Sequence, residues 1–215
     1  MNVLVTGIKS KPVYAPLRAD TQGRYHLMLG AGMANLALRR VLAELEAADP
    51  AALARTRVLC LPAGAADAAA DAAAASDAAT DPLRHLGLLE LHRFGDIPAL
   101  LAQFRVILEK SLMGTRLYVA GPESFIGLAM KIALEFNLNK DEIRAEQMGS
   151  LARRVFCVHC RNTSEEVRTN IVRCAGCGRW LLVRDHYSRR LAAYMGVMVD
   201  AEAPGEIPAI REVYV

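Results

Sequence analysis

From Arg24 onward the chain alternates between two hydrophobic periods. "YHLMLGAGMANLALRRVLAELEAAD" opens on a short apolar run and passes through a glycine turn. It then places Leu38, Val41, Leu42 and Leu45 at i, i+3, i+4 and i+7. That order predicts a buried strand, a tight turn and an amphipathic helix. "RVLCLP" and "LGLLELHRF" are further short apolar runs and read as a second and a third strand. "GDIPALLAQFRVILEKSL" returns to the helical period, with Asp96 as N-cap and Pro98 in the first turn. "TRLYVAG" predicts a fourth strand, Pro122 opens the helix "PESFIGLAMKIALEFNL", and "EIRAEQM" predicts a fifth strand. Strands that alternate with helices in this way predict an α/β fold, a doubly wound parallel sheet with helices on both faces.

The pattern breaks in three places. Met1–Asp20 lacks a period and carries Pro12 and Pro16, which hold it as an extended arm. Ala63–Ala79 is low-complexity alanine and aspartate, a loop or an improvised helix without nameable chemistry. Near Gly149 the alternation stops and a small cysteine-bearing lobe begins. "HYSRRLAAYMGV" predicts a short helix after it, and "DAEAPGEIPAIREVYV" an extended tail. The expected organisation is an arm over 1–22, an α/β domain over 23–149, a metal lobe over 150–184 and a helix plus tail over 185–215.

Composition narrows the function classes. The 215 residues are 53% hydrophobic and 23% charged, which predicts a packed core. A net charge of +3 is too weak to argue for nucleic acid. The arginines between Arg153 and Arg190 read first as a solvated face. Met1–Gly7 is too short for a signal segment, and Asp67, Asp71 and Asp77 interrupt the longest apolar tract, so the expectation is a cytoplasmic protein that binds no membrane.

In that reducing compartment paired cysteines favour a metal over a disulfide. Cys157 and Cys160 form one CxxC pair; Cys174 and Cys177 form another, 13 residues on. Each pair predicts a tight knuckle, and two knuckles predict a tetrahedral site of four thiolates. Zinc is the expected ion, in a structural role, because so small a lobe needs a staple. A rubredoxin-like iron site uses the same four ligands and stays open as the alternative. Gly178 follows the second knuckle, whereas Arg161 stands at the matching place after the first. His159 reads as an exposed spacer and Cys60 as a buried core thiol. Asp96 and Glu123 read as helix-start residues, and no catalytic acid–base pair is evident.

Two fragments suggest a nucleotide. "LGAGMAN" sets Gly30 and Gly32 between a strand and a helix, where backbone N–H groups can approach a phosphate. "LYVAGPESF" ends a strand on Gly121 and Pro122, and resembles the Cys-Gly-Pro signature in the NAD(P)-binding domain of ferredoxin reductase-like flavoproteins. Ala120 stands in place of that cysteine, and Leu29, Ala34 and Asn35 replace the family's Gly, Thr and Pro. The resemblance spans Tyr25–Met148 and implies a degenerate nucleotide-binding fold without a flavin barrel.

"KPVYAPLR", "LYVAGPE", "EIRAEQMGSLARRVFCVHC", "RCAGCG", "VRDHYSRRLAAYMGV" and "DAEAPGEIP", in this order, resemble the small A subunits of bacterial dimethylamine monooxygenases. The resemblance covers nearly the whole chain apart from the alanine tract. It implies a multisubunit NAD(P)H-dependent oxygenase that converts dimethylamine to methylamine and formaldehyde. It also implies companion subunits that carry flavin, iron–sulfur and haem, with this chain as a non-catalytic scaffold that assists electron delivery. A rubredoxin-like electron carrier and a stand-alone NAD(P)-binding regulator are the alternatives.

Overall fold

The computed structural model describes residues 10–61, 83 and 87–215. The reading of Ala63–Ala79, and that of Met1–Lys9 within the arm, fall outside the described residues. Two compact units emerge, one formed by residues 14–149 and the other by residues 150–215 with residues 10–13.

The first unit holds a five-stranded parallel sheet in the order β3-β2-β1-β4-β5. Its strands are β1 (Tyr25–Ala31), β2 (Thr56–Leu61), β3 (Glu90–Arg93), β4 (Thr115–Gly121) and β5 (Ile143–Gln147). All four pairings are parallel, with Gly30 opposite Cys60 on one side and Ala120 on the other. The helices are α1 (Asn35–Ala48), α2 (Ile97–Glu109) and α3 (Glu123–Glu135). α1 packs Leu38, Val41, Leu42 and Leu45 on one face of the sheet, and each fully buried leucine contributes roughly 1.5–3 kcal/mol. α2 and α3 cover the other face through Leu100, Phe104, Phe125, Ile126 and Ala129. The sheet is therefore doubly wound, as its strand–helix alternation dictates. Asp96 caps α2 by accepting from the Ala99 N–H at 2.7 Å.

The arm differs from its expectation as a separate element. Leu17 is buried in the core beneath α1. Its N–H donates to Glu146 Oε2 at 2.6 Å, and Arg40 Nε donates to its carbonyl at 3.2 Å. Arg40 also pairs with Glu146. The compact unit thus begins at Tyr14 and not at residue 23. A single apolar residue after Pro16 has no period to betray its burial.

The second unit is a mixed five-stranded sheet in the order β7-β6-β10-β9-β8. It comprises β6 (Arg153–Cys157), β7 (Thr163–Val167), β8 (Ile171–Arg173), β9 (Trp180–Ser188) and β10 (Ala193–Met198). The expected helix over "HYSRRLAAYMGV" is corrected here: this stretch forms the end of β9, a turn and β10, which pair antiparallel. Tyr187 and Tyr194 sit seven residues apart, which mimics helical spacing. In the hairpin they are cross-strand partners, with ring centroids 5.1 Å apart. Leu181, Val183 and Tyr187 are buried at period two, the strand signal that the helix reading passed over. The sheet also continues past residue 184, so the metal lobe and the C-terminal segment belong to one unit. Ser10 joins it: its N–H donates to the Asp185 carbonyl, and its hydroxyl bridges the N–H and carbonyl of Tyr187.

Candidate metal centre

Two hairpins build the centre. β6 runs into the first knuckle and returns as β7; β8 runs into the second and returns as β9. The same bonds close both turns. The Cys157 N–H donates to the Asn162 carbonyl and the Arg161 N–H to the Cys157 carbonyl, at 2.9 and 3.0 Å. The Cys174 N–H donates to the Arg179 carbonyl and the Gly178 N–H to the Cys174 carbonyl, both at 2.9 Å. The strand partners Phe156–Thr163 and Arg173–Trp180 repeat the relation. Every pair of equivalent positions differs by 17 residues, so the lobe contains one knuckle hairpin twice. Comparing "CVHCRN" with "CAGCGR" would have exposed this repeat in the sequence.

The four sulfurs lie within 4.8 Å of one another. Cys157 Sγ is 3.8 Å from Cys177 Sγ, and Cys160 Sγ is 3.5 Å from Cys174 Sγ. These separations are far longer than a disulfide bond. A tetrahedron of Zn–S bonds near 2.3 Å has S···S edges of about 3.8 Å, and the observed set brackets that value. The thiolate donors therefore fit a tetrahedral ion of the zinc or iron(II) kind. Cys157 and Cys174, the first members of each knuckle, are buried, whereas Cys160 reaches solvent. The Arg179 backbone N–H and then its side chain hold the Cys177 thiol down to about 6. For Cys160 the Asn162 N–H opposes, but desolvation and the three neighbouring thiols push it up to about 12. Cys177 and Cys160 are thus pushed in opposite directions, and a cation that replaces the protons between them would relieve the crowding.

Arg161 adopts φ 65° and Gly178 φ 71°, so both knuckles exit through left-handed backbone. The missing glycine changes the strain and leaves the geometry intact. A non-glycine residue there costs roughly 1–2 kcal/mol, against roughly 0.5–1 kcal/mol for the extra freedom a glycine loses. Arg161→Gly is therefore expected to stabilise the unit by about 0.5–1 kcal/mol in chemical denaturation. A destabilised Arg161→Gly chain would contradict the strain account.

His159 is exposed, as expected of a spacer. Cys60 is buried on β2, remote in sequence from the four ligands; burial pushes its thiol up, and its Sγ lies 3.7 Å from the His92 carbonyl.

Gly30, Gly32, Gly121 and Pro122 come together at the carboxyl ends of β1 and β4. This is the point where successive connections turn to opposite sides of the sheet, the usual ligand crevice of such folds. Internal packing already accounts for two of the glycines. A Cβ on Gly30 would stand 2.8 Å from Leu38 Cδ1, and one on Gly121 would stand 3.0 Å from Phe125 Cδ1 and 3.2 Å from the Ala31 carbonyl oxygen. Gly32 alone has open space around it, at φ 65°. Glu123, the first residue of α3, is buried, and its Oε1 has no hydrogen-bond partner among the described residues. A carboxylate at that helix start opposes a phosphate there.

Two family models match the chain. "Dimethylamine monooxygenase subunit DmmA-like, N-terminal domain" matches residues 6–143, and the corresponding C-terminal domain matches residues 154–197. A relative from Ectopseudomonas mendocina (strain ymp), the heme-dependent oxidative N-demethylase delta subunit, is 34% identical over 122 residues, 57% of this chain and 68% of the relative. Among solved structures, the Amycolatopsis cytochrome P450 reductase GcoB aligns at 16% identity and a TM-score of 0.39, over 60% of this chain and 38% of that one. The ferredoxin reductase in carbazole 1,9a-dioxygenase, in its FAD apo form, gives the same identity and TM-score over 34% of its length. The chain thus spans well under half of either reductase, and likeness at that level assigns no function.

Proposed function

This chain belongs to the family of DmmA-like dimethylamine monooxygenase subunits, and from that premise we propose that it is an accessory subunit of an N-demethylating oxygenase. The observation that carries the reading is that the family models cover parts of both compact units, the metal lobe included. The relative is the delta subunit of a heme-dependent oxidative N-demethylase. In the proposal the complex is NAD(P)H-dependent and takes dimethylamine to methylamine and formaldehyde. Flavin, iron–sulfur and haem groups reside on companion subunits. This chain scaffolds the assembly and assists electron delivery. No helix of the described residues is long and apolar enough to cross a membrane; a cytoplasmic location is part of the proposal.

Cys157, Cys160, Cys174 and Cys177 would hold zinc, which would close both knuckles and fasten the lobe. The glycine crevice is proposed as a vestige of a nucleotide site. Gly30 and Gly121 serve packing, and Glu123 opposes a phosphate at α3. The solvent-exposed Cys160 favours one second reading, an iron-loaded electron carrier.

Co-expression with the companion subunits tests the scaffold role. The chain is expected to co-purify with the haem or flavin subunit and to show no amine-dependent NADPH oxidation by itself. Full turnover by the isolated chain would sink the accessory reading.

A further inference from the structure

A pit of about 150 Å³ opens in the first unit at the amino-terminal end of the sheet, opposite the glycine crevice. Arg55, Arg57 and Lys110 line it, together with Leu89 and Leu112. Among the described residues Lys110 makes no ion pair. Arg55 pairs with Asp49 through one terminal nitrogen, and Arg57 Nε lies 3.2 Å from Glu90 Oε2. Both acids are partly exposed, and such surface pairs are weak, so a better acceptor can replace them. Arg55 Nε is buried and donates to nothing among the described residues, and Arg57 Nε has only the off-line contact with Glu90. An unmet buried donor is costly, and an incoming carboxylate would satisfy it through the guanidinium fork.

The rim selects the kind of occupant. Leu89 is 46% exposed, Leu112 60% and the adjacent Met113 96%. A free anion has no use for this apolar lip. A cationic pit ringed by exposed apolar side chains is the pattern of a protein-binding hot spot. The volume matches that of about five waters, room for an aspartate or glutamate side chain.

We infer that the pit is a socket for a carboxylate carried on an apolar segment of another subunit. The inference rests on the reading of the chain as a subunit of an assembly. Charge complementarity brings the acidic side chain to Arg55, Arg57 and Lys110, and Leu89, Leu112 and Met113 bury its apolar flanks.

The test measures affinity of the full chain for its assembled companion subunits. Lys110→Glu with Leu112→Asp alters the pit and lip at exposed positions without removing a hydrogen bond that holds the fold. Leu36→Asp with Arg39→Glu makes the same chemical changes on exposed residues of α1, at the opposite end of the same sheet. The first pair is expected to weaken association at least about tenfold and the second to leave it unchanged. Equal weakening by both pairs, or by neither, overturns the socket and leaves the accessory role standing. Failure of the unaltered chain to associate overturns both. Saturable binding of millimolar glutarate to the isolated chain, with the complex indifferent to the lip variant, assigns the pit to a small anion and overturns the inference.

Discussion

Replacing Cys174 by serine is expected to empty the metal site and unfold the second unit of the chain. Cys174 is buried between the hairpins, packed with Cys157 and Leu181 in a cluster of three buried residues. The neighbouring cluster adds only Val155, Val167, Val183, Tyr187 and Tyr194. Two cores of this size contribute little, so an ion held by the four thiolates would supply much of the folding free energy. Structural zinc in comparable thiolate sites contributes roughly 10–16 kcal/mol, more than the roughly 5–15 kcal/mol by which whole domains are stable. A serine hydroxyl keeps its proton at neutral pH and cannot replace the thiolate. Metal content is expected to fall from one ion per chain to near zero, and the unit's cooperative melting to disappear. Cys60→Ser is the contrast. It alters a buried thiol in the other unit, with an expected cost of about 1–2 kcal/mol and no change in metal. Retained metal in the Cys174 variant would show that the four sulfurs are not the ligand set.

The second large effect is expected at Arg153, the buried arginine of β6. Its guanidinium carbon lies 3.9 Å from the ring centroids of both Tyr194 and Tyr214. It donates to the Tyr214 hydroxyl at 3.0 Å and to Asp185 Oδ1 at 2.7 Å. Tyr214 lies on the C-terminal segment, whose Val213 and Tyr214 N–H groups donate to the Arg168 carbonyl. One side chain thus stacks the sheet against the tail. Arg153→Leu is expected to cost about 2–4 kcal/mol, from two cation–π contacts of roughly 1 kcal/mol each and the lost hydrogen bonds. The Asp185 carboxylate is half exposed and contributes little of this. Lysine should recover less than half, because it keeps the charge but neither the planar stack nor the fork. Denaturation gives the cost, and hydrogen exchange at Val213 and Tyr214 reports release of the tail. A loss below about 1 kcal/mol with the tail still protected would contradict this account.

The α/β half was legible because its elements are local and periodic. Asp96 and Pro98 fix the start of α2, and Leu38, Val41, Leu42 and Leu45 mark the buried stripe of α1. The cluster of four thiols was equally legible, since two CxxC pairs bring them together without long-range information. What failed depends on partners distant in sequence. Tyr187 and Tyr194 satisfy helical spacing and cross-strand pairing alike, and only the register of β9 with β10 decides between them. Leu17 is buried by α1 and by Glu146 of β5, which no pattern within its own segment encodes. Arg55, Arg57 and Lys110 meet only once the sheet is wound.

The central claim is that the four cysteines hold a structural metal that fastens this subunit to its oxygenase partners. Metal analysis with a visible spectrum, on the full chain purified with its companion subunits and then separated from them, tests it most directly. The account predicts about one zinc per chain and a colourless protein whose removal of metal by a chelator releases it from the complex. Visible bands that bleach on reduction, with iron in place of zinc, would contradict it and establish the lobe as an electron carrier.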